Sequence, residues 1–292
     1  MRYLIFVFLF LSHTIQAQLK KNDLEPNFTE RKKNLLIIES SAYSLALVGL
    51  NQLWYKNYKK SSFHFINDNN SWLQMDKFGH LTTSYFVGVL GIKTYQWAGF
   101  SRKQSIWIGG LTGTFFQSAV EILDGFSDEW GASTGDLIAN SLGSMLAISQ
   151  QLHWNEQKIQ LKFSFYPSKI SNTNTELFGK NIIQKSLKDY NGQTYWLCLN
   201  LEDVFNTNSN LLPKWLNFAF GYGADNMYSD ANNDSREIGA RQFFLSLDIN
   251  TDKLNISNKF VKNVINLIGF IKLPMPTVEY SKGKLNFHNL YY

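Results

Sequence analysis

Four apolar stretches, each interrupted or opened by polar residues, fill most of the first half of the chain. They run Leu35–Trp54, Phe78–Ala98, Ser105–Leu123 and Thr134–Leu152. Each is close to the roughly 20 residues that a helix needs to cross a hydrocarbon core. Glu39, Lys93 and Glu121 break three of them, and Asp136 opens the fourth. Gly109 and Gly113 recur at four-residue spacing, as do Ala139, Gly143 and Ala147, which lets helices approach closely. After His153 the period shortens to two. In KIQLKFSFYP, Ile159, Leu161, Phe163 and Phe165 alternate with Gln160, Lys162 and Ser164, the mark of a half-buried strand. TYWLCLNL, LNFAFGYG and QFFLSLDIN repeat the habit, and TVEYSKGKLNFHNLYY reads as a hairpin turning at Lys282–Gly283. Asn258–Lys272 reads as an amphipathic helix with Phe260, Val261, Val264, Leu267 and Ile268 on one face.

The pattern predicts an α+β protein. A bundle of about four apolar helices covers 35–153, and a small antiparallel β-rich region with the amphipathic helix covers 154–292. About five strands fall short of the roughly eight of a closed membrane barrel. Ser171–Lys180 and Tyr228–Glu237, rich in Asn, Asp and Ser, read as surface loops. His64, His153 and His288 read as isolated histidines at surfaces or interfaces.

The opening MRYLIFVFLFLSHTIQAQ changes where this protein is expected to live. Arg2, the apolar run Tyr3–Leu11 and the small Ala17 match a cleaved export signal over 1–17, followed by a polar lead-in over 18–34. Export implies a bacterial cell-envelope location, membrane-associated and facing the periplasm, or secretion. Charged residues are sparse at 17% and aromatics are many at 15%, which suits a lipid or interface setting. The net charge of +5 comes from scattered lysines and arginines, so membrane lipid is the expected partner, with envelope proteins as further ones, and nucleic acid is not. Cys198 is the single cysteine, which excludes an internal disulfide and CxxC chemistry and reads as a small buried hydrophobe. No cysteine follows the apolar run of the signal, so lipid attachment there is excluded.

Candidate chemistry lies in three polar pairs at helical spacing: Asp76 with His80, Glu121 with Asp124, and Asp136 with Asn140. Each pair shares a helix face. Turned inward together, they would gather four carboxylates, an imidazole and an amide. That set suits a divalent metal, with Asp76, His80, Glu121 and Asp124 as ligands, or an acid–base centre at His80, Glu121 and Asp124 supported by Asp76, Asp136 and Asn140. A plainer reading stands beside it. Asp76 caps the following helix, and Ser133 with Asp136 forms a capping box. Capping does not explain Glu121 and Asp124, which sit at a helix end whose dipole opposes negative charge. No GxSxG, Walker or HExxH motif appears.

DKFGHLTTSYF together with SAVEILDGFSDEWGASTGDLIANSLGS resembles the YfiM-like family of periplasmic lipoproteins of unknown function, over roughly Asn34–Gln151. The tail WLNFAFGYGADNM…FFLSLDIN…PMPTVEY resembles Bacteroidetes-type members. A weaker similarity runs to VanZ-like membrane proteins, which carry an acid–histidine motif, a glutamate and a D-x-x-x-N in the same order. The resemblance implies an envelope location and this architecture and brings no reaction. The expected function is an envelope membrane protein of structural or assembly role, held together by a buried polar cluster. The alternative is a membrane-embedded enzyme or carrier acting on a lipid or lipid-linked substrate.

Overall fold

The computed structural model describes residues 28–55, 58–205, 213–228 and 239–292. The export signal, most of the polar lead-in and nearly all of the loop expected at Tyr228–Glu237 lie outside the described residues. The chain divides into two units. One comprises Met1–Asn67 and Thr83–Leu152, and the other Asp68–Thr82 and His153–Tyr292.

In the first unit, α1 (Phe28–Leu50) starts inside the stretch expected as lead-in and ends in a wide turn, Asn51–Tyr55. β1 (Phe65–Ile66) pairs in parallel with β2 (Ala132–Ser133). Between them lie α2 (Met75–Trp97), whose residues up to Thr82 belong to the second unit, and α3 (Gly110–Gly125). A turn capped reciprocally by Ser101 and Gln104 starts the approach to α3, and α4 (Thr134–His153) follows β2.

The helices thus fall where the apolar stretches do, yet they meet through glycine and hydrogen bonds. A side chain at Gly91 would collide with the Gly109 carbonyl, and one at Gly113 with the Ser84 backbone. That closeness lets polar groups bond across. Ser84 Oγ donates to Asn140 Oδ1 at 3.2 Å, Thr114 Oγ1 donates to the Asn140 carbonyl at 3.0 Å, and Tyr43 donates to the Thr112 carbonyl at 3.3 Å. Tyr95 donates to Glu39 Oε2 at 2.8 Å, and burial with that carboxylate pushes the phenol well up. Ile92, Ile106 and Ile148 are buried among the helices, but many other apolar side chains face outward. Ile138, Leu142 and Met145 line one side of α4, and Phe115 and Ile122 one side of α3, all at least half exposed.

The expected transmembrane helices are therefore corrected. Among the described residues no helix is long and apolar enough to cross a membrane. Thr112, Gln117, Glu121, Asp136, Asn140 and Ser144 fill the buried sides of α3 and α4, which lowers the hydropathy that a span requires.

The second unit is built on an antiparallel sheet of six strands, where about five were expected. Its order is β3 (Ile159–Phe165), β4 (Gln193–Leu199), β5 (Leu216–Asp225), β6 (Ala240–Ile249), β7 (Met275–Ser281) and β8 (Lys284–Tyr291). The last two form the expected hairpin, turning through Lys282 and Gly283 at φ of 50° and 75°, the left-handed pair a two-residue turn requires. The amphipathic helix is α5 (Lys259–Ile268), whose N-cap Asn258 accepts from the Phe260 and Val261 amides. After it the chain runs alongside β3, with the Phe163 amide donating to the Phe270 carbonyl at 2.8 Å and the Lys272 amide to the Phe163 carbonyl at 2.9 Å.

Strand register assigns every side chain to a face. Lys162, Trp196, Gly221, Phe244 and Glu279 stand opposite one another along one row, and Gln160, Cys198, Ala219, Ser246 and Thr277 along the next. All eight non-glycine, non-alanine side chains of these rows are buried, and five of them are polar or charged. Lys162 Nζ lies 2.6 Å from Asp248 Oδ2 and also donates to the Ile249 carbonyl at 2.7 Å; the two side chains are 2% and 0% exposed. Lys272 lies over the Trp196 ring at 4.3 Å, and burial lowers its pKa. Trp196 Nε1 donates to Ser164 Oγ. Cys198 is fully buried, as expected, and burial followed by the nearby Asp248 pushes its thiol up.

The opposite face buries Leu161 and Tyr195 at one end of its rows and leaves Leu197, Phe220, Leu245, Val278 and Phe287 in one row and Phe243, Tyr280 and Leu285 in the next between 38% and 73% exposed. Two smaller expectations also change. In the loop expected at Ser171–Lys180, Ser171 and Phe178 are buried. His288 is not isolated, since its Nε2 lies 2.7 Å from Glu279 Oε2.

Removing one member of a buried ion pair leaves a charge without compensation. Lys162→Ala should lower unfolding stability by about 3–5 kcal/mol, while Lys162→Met with Asp248→Leu should recover most of that loss. Urea titration of the three proteins measures both; equal losses in single and double variants would show that the pair is not what matters.

Candidate functional site

The six candidate residues fall into two groups by unit. Asp76 and His80 belong to the second, and Glu121, Asp124, Asp136 and Asn140 to the first.

Asp76 lies in the first turn of α2 as its second residue, rather than capping it from outside. The chain enters this helix through Trp72, Leu73 and Gln74 at φ of 48°, 51° and 65°. Consecutive left-handed residues with side chains cost roughly 1–2 kcal/mol each, and specific contacts hold them. Tyr222 donates to the Leu73 carbonyl at 2.5 Å, Gln74 Nε2 to the Asn69 carbonyl at 2.6 Å, and Arg241 to Gln74 Oε1 at 2.8 Å. Trp72 packs on Tyr190 at 5.5 Å between ring centroids. The same tyrosine donates to Asp76 Oδ1 at 2.5 Å, and His80 Nε2 stands 3.9 Å from that oxygen. One turn of α2 therefore presents a carboxylate and an imidazole, and Tyr190 brings a phenol to the same oxygen. Behind them, Phe78 stacks on Tyr222 at 4.5 Å, and the buried Tyr195 has its phenol pushed far up by burial and by the Asp76 charge.

In the first unit the polar side of α3 meets the start of α4. Glu121 is 2% exposed, and its Oε2 accepts from the Ser133 amide at 2.8 Å. Ser133 Oγ in turn accepts from the Asp136 amide at 3.2 Å, the first half of the expected capping box. The carboxylate at the unfavourable end of α3 is thus set at the positive end of α4, which offsets the dipole penalty. Asp124 accepts from the Tyr55 hydroxyl at 2.7 Å. Asp136 is 2% exposed and Asn140 fully buried, the latter bonded to Ser84 as described.

Chemically, Asp76 and His80 supply one oxygen and one nitrogen donor from a single helix face, two of the ligands that a catalytic metal site takes. Tyr190 lies on the same carboxylate oxygen and orients it. Glu121 is anchored by a backbone amide, as a carboxylate is when it pins two helices. Sequence reasoning missed Tyr190, which is 114 residues from Asp76, and missed the pairs Lys162–Asp248 and His288–Glu279. No spacing rule joins Asp76 to Tyr190 or Lys162 to Asp248, whereas Glu279 and His288 lie nine residues apart on the two strands of the hairpin. The one available signal was Lys162 itself, on the polar side of an otherwise apolar strand.

Residues 63–151 match the model of a family described as "Predicted periplasmic lipoprotein (DUF2279)". The matched segment is less than a third of the 292 residues and contains all six candidate positions. No curated protein and no solved structure matches the chain.

Glu121→Ala should cost about 1.5–3 kcal/mol, because it removes a charged acceptor and strands a buried amide. Asp124→Ala, which removes the Tyr55 bond from a half-buried site, should cost about 0.5–1.5 kcal/mol. Thermal unfolding of both variants gives the comparison, and a Glu121→Ala protein as stable as the parent would refute the pinning role.

Proposed function

We propose that this is an exported protein of the bacterial cell envelope, non-enzymatic and structural or assembly-related, that works against a membrane with its apolar outer faces toward lipid. The observation that supports this most is the apolar surface the sheet leaves open. In water the apolar face of a sheet is the buried one. Here the buried face mixes Lys162, Asp248, Thr277 and Glu279 with Trp196, Cys198 and Phe244, and the other face, which buries Leu161 and Tyr195, leaves Leu197, Phe220, Phe243, Leu245 and Phe287 open. Polar-in and apolar-out is the alternation of a strand that faces lipid. Burying the exposed half of a Phe or Leu gains roughly 1 kcal/mol, and the row supplies several. The outward stripes of α3 and α4 support the same setting, since a helix too polar to span can still lie in the interface. The likeness of residues 63–151 to a periplasmic lipoprotein family supports export to the envelope. YfiM-like membership is part of this proposal.

A second reading is favoured by the cluster of Asp76, His80 and Tyr190. It makes the protein a metal-dependent or acid–base enzyme, or a carrier, for a lipid or lipid-linked envelope substrate.

Vesicle flotation separates these ideas. The full chain should float with liposomes and resist carbonate extraction. Phe220→Glu with Leu245→Glu should keep its circular dichroism spectrum and stay at the bottom of the gradient. A parent protein that never floats rules out the membrane reading. For the second reading, the purified chain should carry about one divalent metal ion per molecule, lost in a folded His80→Ala variant. Metal-free parent protein after purification in metal-supplemented buffer would eliminate the metal-dependent version.

A further inference from the structure

The second unit contains a cavity of about 540 Å³ beneath α5, within the roughly 300–1,000 Å³ range of ligand pockets. Its walls include Trp215, Ile249, Ile265, Ile268, Ile271 and Leu273. Trp215, Ile268, Ile271 and Leu273 are 42–49% exposed, so apolar surface runs from the outside into the cavity. The helix above it is held at both ends. Asn258 caps its start, and the backbone bonds of Phe270 and Lys272 to Phe163 tie the chain after it to β3.

Two acids flank the lining, and both face partners: Asp248 pairs with Lys162 at 2.6 Å, and Asp252 Oδ2 accepts from Gln160 Nε2 at 3.4 Å. Between Lys253 and Glu279 the chain has no further acidic residue; Lys272 lies over the Trp196 ring, and Lys259 and Lys262 are on α5 itself. Lys262 is three residues before Ile265, so the two share a helix face. An aliphatic cavity with a lysine one turn away fits a molecule with an apolar chain and an anionic head, the recognition pattern of basic amphipathic helices.

We propose that the cavity under α5 binds a single aliphatic chain of an anionic amphiphile, with Lys262 on the α5 face beside Ile265 receiving the headgroup. This deepens the membrane reading, on which it rests only for the source of the amphiphile. Whether the headgroup belongs to a free fatty acid or to an anionic phospholipid is decided by the test.

Calorimetric titration of the purified full chain with octanoate, decanoate and dodecanoate, each below its micelle concentration, is the experiment. Affinity should rise about fourfold per methylene with a stoichiometry of one. Decanoate should bind more tightly than decanol, and decylamine most weakly. Ile265→Trp, which fills the cavity, should abolish binding of all three, and Leu273→Trp provides a second filling variant should the first fail to fold. Lys262→Gln should bring decanoate down to the level of decanol. Competition by phosphatidylglycerol vesicles, but not phosphatidylcholine vesicles, would identify a phospholipid as the natural source. Its absence alongside decanoate binding would identify a free fatty acid. Binding that is independent of chain length, or unchanged by a folded filling variant, overturns the proposal. Flotation depends on Phe220 and Leu245, which do not line this cavity, so either result can fail alone.

Discussion

A lysine ammonium withdrawn from water must find a carboxylate, and inside the sheet Lys162 finds Asp248 at 2.6 Å. The pair is 86 positions apart in sequence and almost fully buried. Its desolvation cost is offset only where geometry is close and further bonds complete it, as the Ile249 carbonyl does here. Charge shares this face of the sheet with Trp196, Cys198 and Phe244, and the other apolar residues of the same strands fall on the opposite one. Phe220 and Leu245 are open because Trp196, Phe244 and Ser246, their neighbours along the strands or across them, turn the other way. The lipid-facing proposal and the buried polar face are thus one constraint seen from two sides.

The first unit obeys the same constraint by different means. Helices that bring Ser84, Asn140, Thr114 and Ser144 into contact need close backbones, and Gly91, Gly109 and Gly113 provide them. Hydrogen bonds between such helices replace an apolar interface, as small-residue contacts do in lipid. Glu121 shows the principle at one atom: an acid at the negative end of α3 is tolerated because it accepts from the Ser133 amide, immediately before α4. The outward stripes of Ile138, Leu142 and Met145 are the complement of this arrangement.

The candidate site was legible where local spacing carries it. Asp76 and His80 share a helix face by their four-residue interval, and Ser133 caps the Asp136 amide as its position suggests. Tyr190 was not legible. It reaches Asp76 from a short turn before β4, and only the packing of Trp72 against its ring puts it there. The left-handed path of Trp72, Leu73 and Gln74 was equally hidden, because no glycine or asparagine at those positions announces it.

The sequence by itself determined the order of elements: four helical stretches, then alternating strands, a capped amphipathic helix and a hairpin at Lys282–Gly283. These follow from periods of 3.6 and 2 and from local turn chemistry, which operate within a few residues. Which face of each strand is inside was decided only in three dimensions. Alternation separates Ile159, Leu161, Phe163 and Phe165 from Gln160, Lys162 and Ser164, and says nothing about which set meets partners across the sheet. That choice depends on Asp248 and Ile249 arriving beside Lys162 through three strand pairings, a long-range event that no local pattern encodes.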